Sequence, residues 1–329
     1  YSTPDHRRHT SANIAPILTM KISLVSRSGR EILAGGLDIP DAATKVDQLK
    51  ALIHKLSEEK KIKGALLTPG RQRLTIPGAD AKAKPVALAD GKTLADFGIK
   101  DGTVITLKDL GPQIGYQTVF FWEYFGPMVI YPLFYCLRAE IYGKTFEPVL
   151  AQRLAMYYHT FHYAKRIAET FFVHDFSHAT MPIMNLFRNS GYYWTFGAMM
   201  SYFINHPDYT SPNETLVKAA ILIALMMQAG NFTSHIILTN LRKSGKGYLI
   251  PRGFAFNFVT CANYTFEIYG WFFFNVATQS VMGVLFMCAG ALQMIQWALA
   301  KHKRLRTLFD GKDGKEKYPR RWVILPPFI

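Results

Sequence analysis

The pattern of apolar and polar positions changes character near residue 115. Before it, apolar residues come in short phases. Met20, Ile22 and Leu24 alternate with polar neighbours, Ser28-Gly29 supplies a turn, and Glu31-Ile32-Leu33 begins a return strand. Val46, Leu49, Leu52, Ile53 and Leu56 then recur at helical spacing, which predicts a helix over Val46–Leu56. Short strands follow at Arg73–Ile76 and Thr103–Leu107. Beyond Gly115 the apolar segments become long. A helix needs about 20 residues to cross ~30 Å of hydrocarbon. Segments of that kind are Thr118–Ile141, Pro148–Arg166, Asn189–His206, Leu216–Leu241, Phe256–Thr278 and Ser280–Ala300. The second and third are short and polar for spans, so the count stands at about six.

Composition makes sense only against that division. Over 329 residues, 19% of them charged, the mean hydropathy of +0.05 resembles a soluble protein. It averages two materials, since the charges crowd into the first part, a few loops and the tail. The net charge of +15 would suit a nucleic-acid binder. In a membrane protein, excess Lys and Arg belong on cytoplasmic segments instead, and nucleic acid is disfavoured. The loops test this. His206–Thr215 and Gln279 lack Lys and Arg, and Tyr142–Glu147 carries only Lys144. Lys165–Arg188, Arg242–Arg252 and Lys301–Arg321 are basic. Charge and alternation therefore agree on cytosolic N- and C-termini, with the charge-poor loops on the far side. Cys136, Cys261 and Cys288 fall in apolar segments at no framework spacing, against disulfides. The expected organisation is a flexible leader at 1–19, without a signal-peptide pattern, a small α+β domain at 20–110, and a transmembrane domain with a cytosolic tail at 111–329.

Ionisable groups inside apolar segments cost about 2.5–3.5 kcal/mol each on insertion scales, so their presence suggests a task. Glu123 sits in the first segment, and His159, His162, Tyr163, Lys165, Arg166 and Glu169 end the second. Asn231, His235 and Asn240 lie in the fourth, Asn263, Tyr264 and Glu267 in the fifth, and Lys301-His302-Lys303-Arg304 closes the sixth. His162 and Arg166, Asn231 and His235, and Asn263 and Glu267 are each four apart and share a helix face. Singly, such residues serve as helix–helix glue or snorkelling ends, and Lys165 and Lys301 fit snorkelling best. Together they favour a polar cavity open to the cytosol, whose basic rim suits a polyanionic cofactor or a CoA thioester. No Gly-x-Gly-x-x-Gly follows a strand, and Ser244-Gly245-Lys246-Gly247 lacks Walker spacing. The histidines, including His174, His178 and His206, show no metal-ligand spacing, so no metal is expected.

Several of these residues carry resemblances. Thr93-Leu94-Ala95-Asp96-Phe97-Gly98-Ile99-Lys100-Asp101-Gly102 with Val104-Ile105 resembles the closing turn and strand of ubiquitin-like β-grasp domains, over roughly Met20–Lys108. Asn240-Leu241-Arg242-Lys243-Ser244-Gly245 resembles a loop of the steroid 5α-reductase superfamily. So do Gly253-Phe254, then Cys261-Ala262-Asn263-Tyr264-Thr265-Phe266-Glu267 with Trp271, and Tyr318-Pro319 through Ile324-Leu325-Pro326. Three segments look more narrowly like the very-long-chain trans-2-enoyl-CoA reductases of the endoplasmic reticulum. These are His162-Tyr163-Ala164-Lys165-Arg166 with Glu169-Thr170, then Phe172-Val173-His174 through His178, and Asn205-His206-Pro207.

That resemblance implies a multi-pass helical bundle in the endoplasmic reticulum membrane behind a ubiquitin-like domain. It implies NADPH-dependent reduction of a very-long-chain trans-2-enoyl-CoA, the last step of each fatty-acid elongation round. Membrane lipid and other elongation enzymes are the implied partners. By the same resemblance Tyr264 is the proton donor, and Glu123 and Tyr163 match the carboxylate–tyrosine pair near the substrate carbonyl. Either of these could take the acid role instead. The implied cofactor contacts are Asn231, Arg242, Asn263, Glu267 and His302, with Arg166 and Arg304 for phosphate, and His162, Lys165 and Glu169 at a substrate rim. Two departures stand out: His235 where steroid reductases carry an acidic residue, and Arg306 where relatives usually have tyrosine. A steroid or sterol reductase and a non-enzymatic scaffold are the competing readings. The first is disfavoured by Tyr264 and the ubiquitin-like domain, the second by the intact Asn263-Tyr264-Glu267 set. Trp271 reads as packing.

Overall fold

Alternation at the start of the chain becomes strand β1 (Met20–Ser26), whose Ile22 and Leu24 are fully buried. The computed structural model describes residues 19–59, 67–78, 83–176, 179–245 and 248–329. Of the expected leader only Thr19 is among them, and His178 lies outside them. The chain divides into two compact units between Gln113 and Ile114.

In the first unit β1 is followed by β2 (Leu37–Ile39), helix α1 (Val46–Glu59), β3 (Gln72–Ile76), β4 (Val86–Ala87) and β5 (Val104–Asp109). They form a mixed five-stranded sheet in the order β2-β1-β5-β3-β4. β1 runs parallel to β5, pairing Ser23 with Val104 and Ser26 with Leu107, and the other neighbours are antiparallel. Val46, Leu49 and Ile53 of α1 close the core with Leu74, Leu94 and Ile105, as the helical spacing predicts. The return strand differs from expectation. Glu31 makes only an isolated bridge to Val25, and pairing with β1 resumes at Leu37–Ile39. Gly35 and Gly36 take positive φ (81° and 75°) and re-aim the chain there. A Cβ on Gly36 would also stand 2.9 Å from the Ile22 carbonyl oxygen.

The second unit opens with β6 (Gln113–Gly115) and is otherwise helical: α2 (Tyr116–Cys136), the short α3 (Arg138–Tyr142) and α4 (Leu150–Phe172). After β7 (Thr180–Pro182), paired with β6, come α5 (Met184–Ile204), α6 (Glu214–Lys243), α7 (Ala262–Thr278) and α8 (Val281–Leu308). Each long apolar segment of the sequence is thus centred on one long helix. Two of them, α6 and α8, are long and apolar enough to cross a membrane, at mean hydropathy 1.5 and 1.6. The other long helices are shorter or less hydropathic over a membrane-length stretch, so six spans stay an inference from their length and alternation.

Packing in this unit depends on aromatic rings meeting small residues. Tyr131, Tyr158, Tyr163, Trp271 and Phe274 share one core with Ala151, Ala155, Ala220 and Ala224. At Gly230 of α6 a Cβ would stand 2.6 Å from the Phe266 ring of α7, so only glycine allows that approach. At Gly126 of α2 a Cβ would overlap the Trp194 ring, whose Nε1 donates to the Trp122 carbonyl at 2.9 Å. Pro127, inside α2, removes the amide that would reach the Glu123 carbonyl one turn earlier.

Candidate active site

α4 presents His159, His162, Tyr163, Arg166 and Glu169 along one side, because residues three and four apart stack on a helix. Glu169, 1% exposed, is the anchor of a charge cluster. Lys165 Nζ lies 3.1 Å from its Oε1, Arg166 donates to Oε2 at 2.8 Å, and His235 Nδ1 of α6 lies 3.0 Å from Oε1. Removing a carboxylate from water is costly, and several partners are needed to offset it. Arg166 also donates to the Tyr124 hydroxyl at 2.9 Å and lies 5.0 Å from that ring's centroid. Just past α4, the His174 amide donates to the Glu169 carbonyl at 2.7 Å, and its ring is 4.9 Å from that of His235. Burial, helped by the Arg166 charge, pushes the His174 imidazole down to about 3.

Glu169, His174 and His235 hold potential metal-ligand atoms within 4.8 Å of one another. Lys165 and Arg166 already neutralise the carboxylate and would repel a divalent ion. The geometry is that of an ion-pair cluster.

From this cluster a hydrogen-bond path crosses to α6 and α7. Lys165 donates to Asn231 Oδ1, and Asn231 Nδ2 donates to the Asn263 carbonyl at 2.9 Å. Glu267, one turn along α7, accepts from Trp271 Nε1 at 3.2 Å and lies 3.5 Å from His162 Nε2. On the α2 side, Glu123 accepts from Asn189 of α5 at 2.9 Å. Between these fixed groups lie buried polar atoms with no protein partner among the described residues. They include Tyr163 Oη, His162 Nδ1, both His159 ring nitrogens and Asn263 Oδ1. Leaving such a group unpaired costs about 1–3 kcal/mol, so their gathering marks a place where a ligand or water completes the bonding.

A second polar cluster lies where the segment before α7, the end of α8 and the C-terminal segment meet. His302 Nδ1 is 2.6 Å from Thr260 Oγ1, which is 2.9 Å from the Tyr318 hydroxyl. Arg321 stands over the Tyr318 ring at 4.9 Å, and Arg304 over Tyr248 at 4.2 Å.

The expected site residues therefore fall into two sets. Glu123, His162, Tyr163, Lys165, Arg166, Glu169, Asn231, Asn263 and Glu267 are joined through the first cluster. His302 belongs to the second, Arg304 lies at its edge, and exposed Arg242 donates to the Asp175 carbonyl. Tyr264 leaves α7 on a different flank, packed against Cys261, Ile268, Ala298 and Ile324 and 6.3 Å from the Trp297 ring. Of the three residues expected at a rim, His162 and Glu169 are buried and Lys165 is half-buried, its ammonium turned in to the Glu169 carboxylate. Arg166, expected on phosphate, is already engaged by Glu169 and Tyr124. Trp271 packs as expected but also orients Glu267. Tyr124, Asn189, Thr260 and Tyr318 are site-forming residues that local spacing does not reveal. An amide such as Asn189 at the edge of an apolar segment is the one available signal.

Residues 179–329 match the sequence family described as 3-oxo-5-alpha-steroid 4-dehydrogenase. The whole chain is more specific. It is 43% identical over 262 residues to a very-long-chain enoyl-CoA reductase of Dictyostelium discoideum, covering 79% of this chain and 86% of that protein. A Caenorhabditis elegans protein named for the same activity is 38% identical over 298 residues, 86% of this chain and 91% of its own. The mouse trans-2,3-enoyl-CoA reductase-like protein is 37% identical over 226 residues, 64% of this chain and 62% of that one. The chain belongs to the very-long-chain enoyl-CoA reductase family.

Proposed function

We propose that this protein reduces the 2,3 double bond of very-long-chain trans-2-enoyl-CoA with NADPH, the closing step of an elongation round. The observation that carries the reading is the gathering of buried, unpartnered acid–base groups in a chain 43% identical to an enzyme so named. The cofactor class fits the residues. Asn263 Oδ1 is buried with free bonding capacity, Asn231 and Glu267 stand beside it, and cationic side chains surround the set. Asn231, Asn263, Glu267 and Arg166 would hold the nicotinamide–ribose end, and Arg242, His302 and Arg304 the phosphates. NADPH, when bound, supplies the hydride.

The chain's own groups manage charge and proton. As electron density moves onto the thioester oxygen, a preorganised donor there lowers the barrier. Tyr163, with its free hydroxyl beside Glu123, takes that role and hands its proton on to the α-carbon two bonds away; Tyr264, which the family resemblance names for that proton, packs on a different flank of α7. General acid help of this kind is worth about 10²–10⁴-fold. His162 stands next to Tyr163, with ring centroids 4.8 Å apart, and faces the reacting end. Lys165 and Glu169 hold the charge framework beneath it.

Six spans in the endoplasmic reticulum membrane, with both termini cytosolic, would put the cluster near the cytosolic face and the acyl tail among the helices. The strand order of the first unit supports a ubiquitin-like β-grasp domain, suited to contact other elongation enzymes. Purified protein should oxidise NADPH when given a long-chain trans-2-enoyl-CoA, and absence of oxidation would refute the reading. Full activity in Tyr264→Phe would leave the proton with Tyr163, whose unpartnered hydroxyl favours it, and a large loss there would return it to Tyr264. The steroid-family match supports a rival substrate, so a 3-oxo-4-ene steroid belongs in the same assay. Faster reduction of the steroid would replace the acyl-CoA assignment.

A further inference from the structure

The Thr260 cluster contains a constraint on proton positions. Thr260 Oγ1 has one proton and two neighbours, His302 Nδ1 at 2.6 Å and the Tyr318 hydroxyl at 2.9 Å. Thr260 is fully buried and Tyr318 is 8% exposed. Suppose Nδ1 carried the proton of a neutral imidazole and donated to Thr260. Thr260 would then donate to Tyr318, and the phenol proton would be left over in a buried setting, which is costly. In the opposite direction every proton has an acceptor: Tyr318 donates to Thr260, Thr260 donates to Nδ1, and the imidazole proton sits on Nε2. The second ring nitrogen is then a donor.

The C-terminal segment fixes this arrangement through its backbone. The Thr260 amide donates to the Trp322 carbonyl at 2.9 Å, and the Trp322 amide to the Phe258 carbonyl at 2.9 Å. The Cys261 amide reaches the Val323 carbonyl at 3.1 Å, and Tyr269 donates to the Pro326 carbonyl at 3.1 Å. Arg321 donates to the Pro251 carbonyl at 3.0 Å while covering the Tyr318 ring. Tyr318 and Thr260 are thereby held to each other and to the end of α8.

We infer that Thr260 and Tyr318 are positioning residues that hold His302 in its Nε2–H form, as a neutral donor toward an anionic or ribose group of the nicotinamide cofactor. The inference rests on the reading of His302 as a cofactor contact. It gives the C-terminal segment a task in cofactor affinity that its place in the chain would not suggest.

Full-length protein in detergent, titrated with NADPH by fluorescence, tests it. Thr260→Val keeps the shape and removes the hydroxyl. It should raise the NADPH Kd about fivefold, as expected for one lost hydrogen bond. The KM for enoyl-CoA should stay unchanged, and Thr260→Ser should restore the Kd. Tyr318→Phe should raise the Kd less, because Thr260 can still donate. In a His302→Ala background, which itself weakens NADPH binding, Thr260→Val should add nothing. A wild-type Kd in Thr260→Val with weakened binding in His302→Ala would overturn this inference and leave the cofactor reading standing. Wild-type binding in His302→Ala would overturn both. Equal losses for NADPH and enoyl-CoA, or an undiminished Thr260→Val effect in the His302→Ala background, would reduce the triad to packing.

Discussion

The cluster around Glu169 is built on paired charges and the cluster around Thr260 on two hydroxyls and an imidazole, and their hydrogen bonding is completed differently. Around Glu169 the charges are paired within the protein, but Tyr163, His162, His159 and Asn263 keep buried polar atoms without a partner among the described residues. Around Thr260 the three side-chain groups form a closed sequence, and backbone bonds to Trp322 and Val323 hold it in register. Unsatisfied buried groups destabilise a fold, so a protein retains them where a ligand satisfies them. Closed networks rigidify. The first cluster is where chemistry is expected, and the second holds a contact in place.

The contrast can be broken most forcefully at its charged anchor. Glu169→Ala would leave Lys165 and Arg166 facing each other without their nearest counter-charge. Thermal unfolding in detergent should show a loss of about 3–5 kcal/mol. A loss below about 1 kcal/mol would mean that the cluster is wet and behaves as a surface pair.

A smaller effect is expected at the close approach of α6 and α7. Gly230→Ala puts a Cβ 2.6 Å from the Phe266 ring, so one helix must shift. Overpacking of this kind costs about 1–3 kcal/mol. Because Asn231 and Asn263 sit at the same crossing, the NADPH Kd should rise as well. Unchanged stability and affinity would show that the crossing is loose.

His174 sharpens the comparison through pH. Its folded value is depressed from 6.5 to about 3, so below pH 6.5 the unfolded chain takes up a proton that the folded chain refuses. Stability should therefore fall as pH drops from 6.5 toward about 3, and His174→Gln should flatten that limb. An identical pH profile in the variant would show that His174 titrates normally.

The smallest effect belongs to the N-terminal unit, where Arg71 donates to both carboxylate oxygens of Asp109 at 3.0 and 2.6 Å. The Arg71 hydrogen bonds hold the Asp109 carboxyl below its ordinary 3.8. Its contribution is present above that value and is lost as pH falls below it. Asp109→Asn should lower the melting point slightly at neutral pH and not at all in strong acid. A shift of equal size at both would assign the effect to something other than charge.

The local pattern made much of this legible, and the limits follow from what local pattern encodes. Periodicity located α1 within three residues, because Val46, Leu49 and Ile53 have to face one core. It also placed a long helix on every extended apolar segment, and the four-residue spacings picked out the α4 and α7 faces. It misplaced the return strand at Glu31, since the glycine pair that delays pairing leaves no mark on hydrophobic alternation. Glu123 meets Asn189 across 66 residues, and Thr260 meets Tyr318 across 58. No spacing rule reaches that far. The burial of Glu169 was hidden for the same reason, because its third partner, His235, comes from another helix.

The central claim, that the unpartnered cluster performs the chemistry while the closed cluster only holds the cofactor, reduces to one comparison of rates. Single-turnover reduction of a long-chain trans-2-enoyl-CoA at saturating NADPH would be followed in Tyr163→Phe and Thr260→Val. The expected result is a rate lower by about 10²–10³-fold in Tyr163→Phe, the size of a lost oxyanion donor, and a near-normal rate in Thr260→Val. Comparable rates in the two variants, or a larger loss in Thr260→Val, would contradict it.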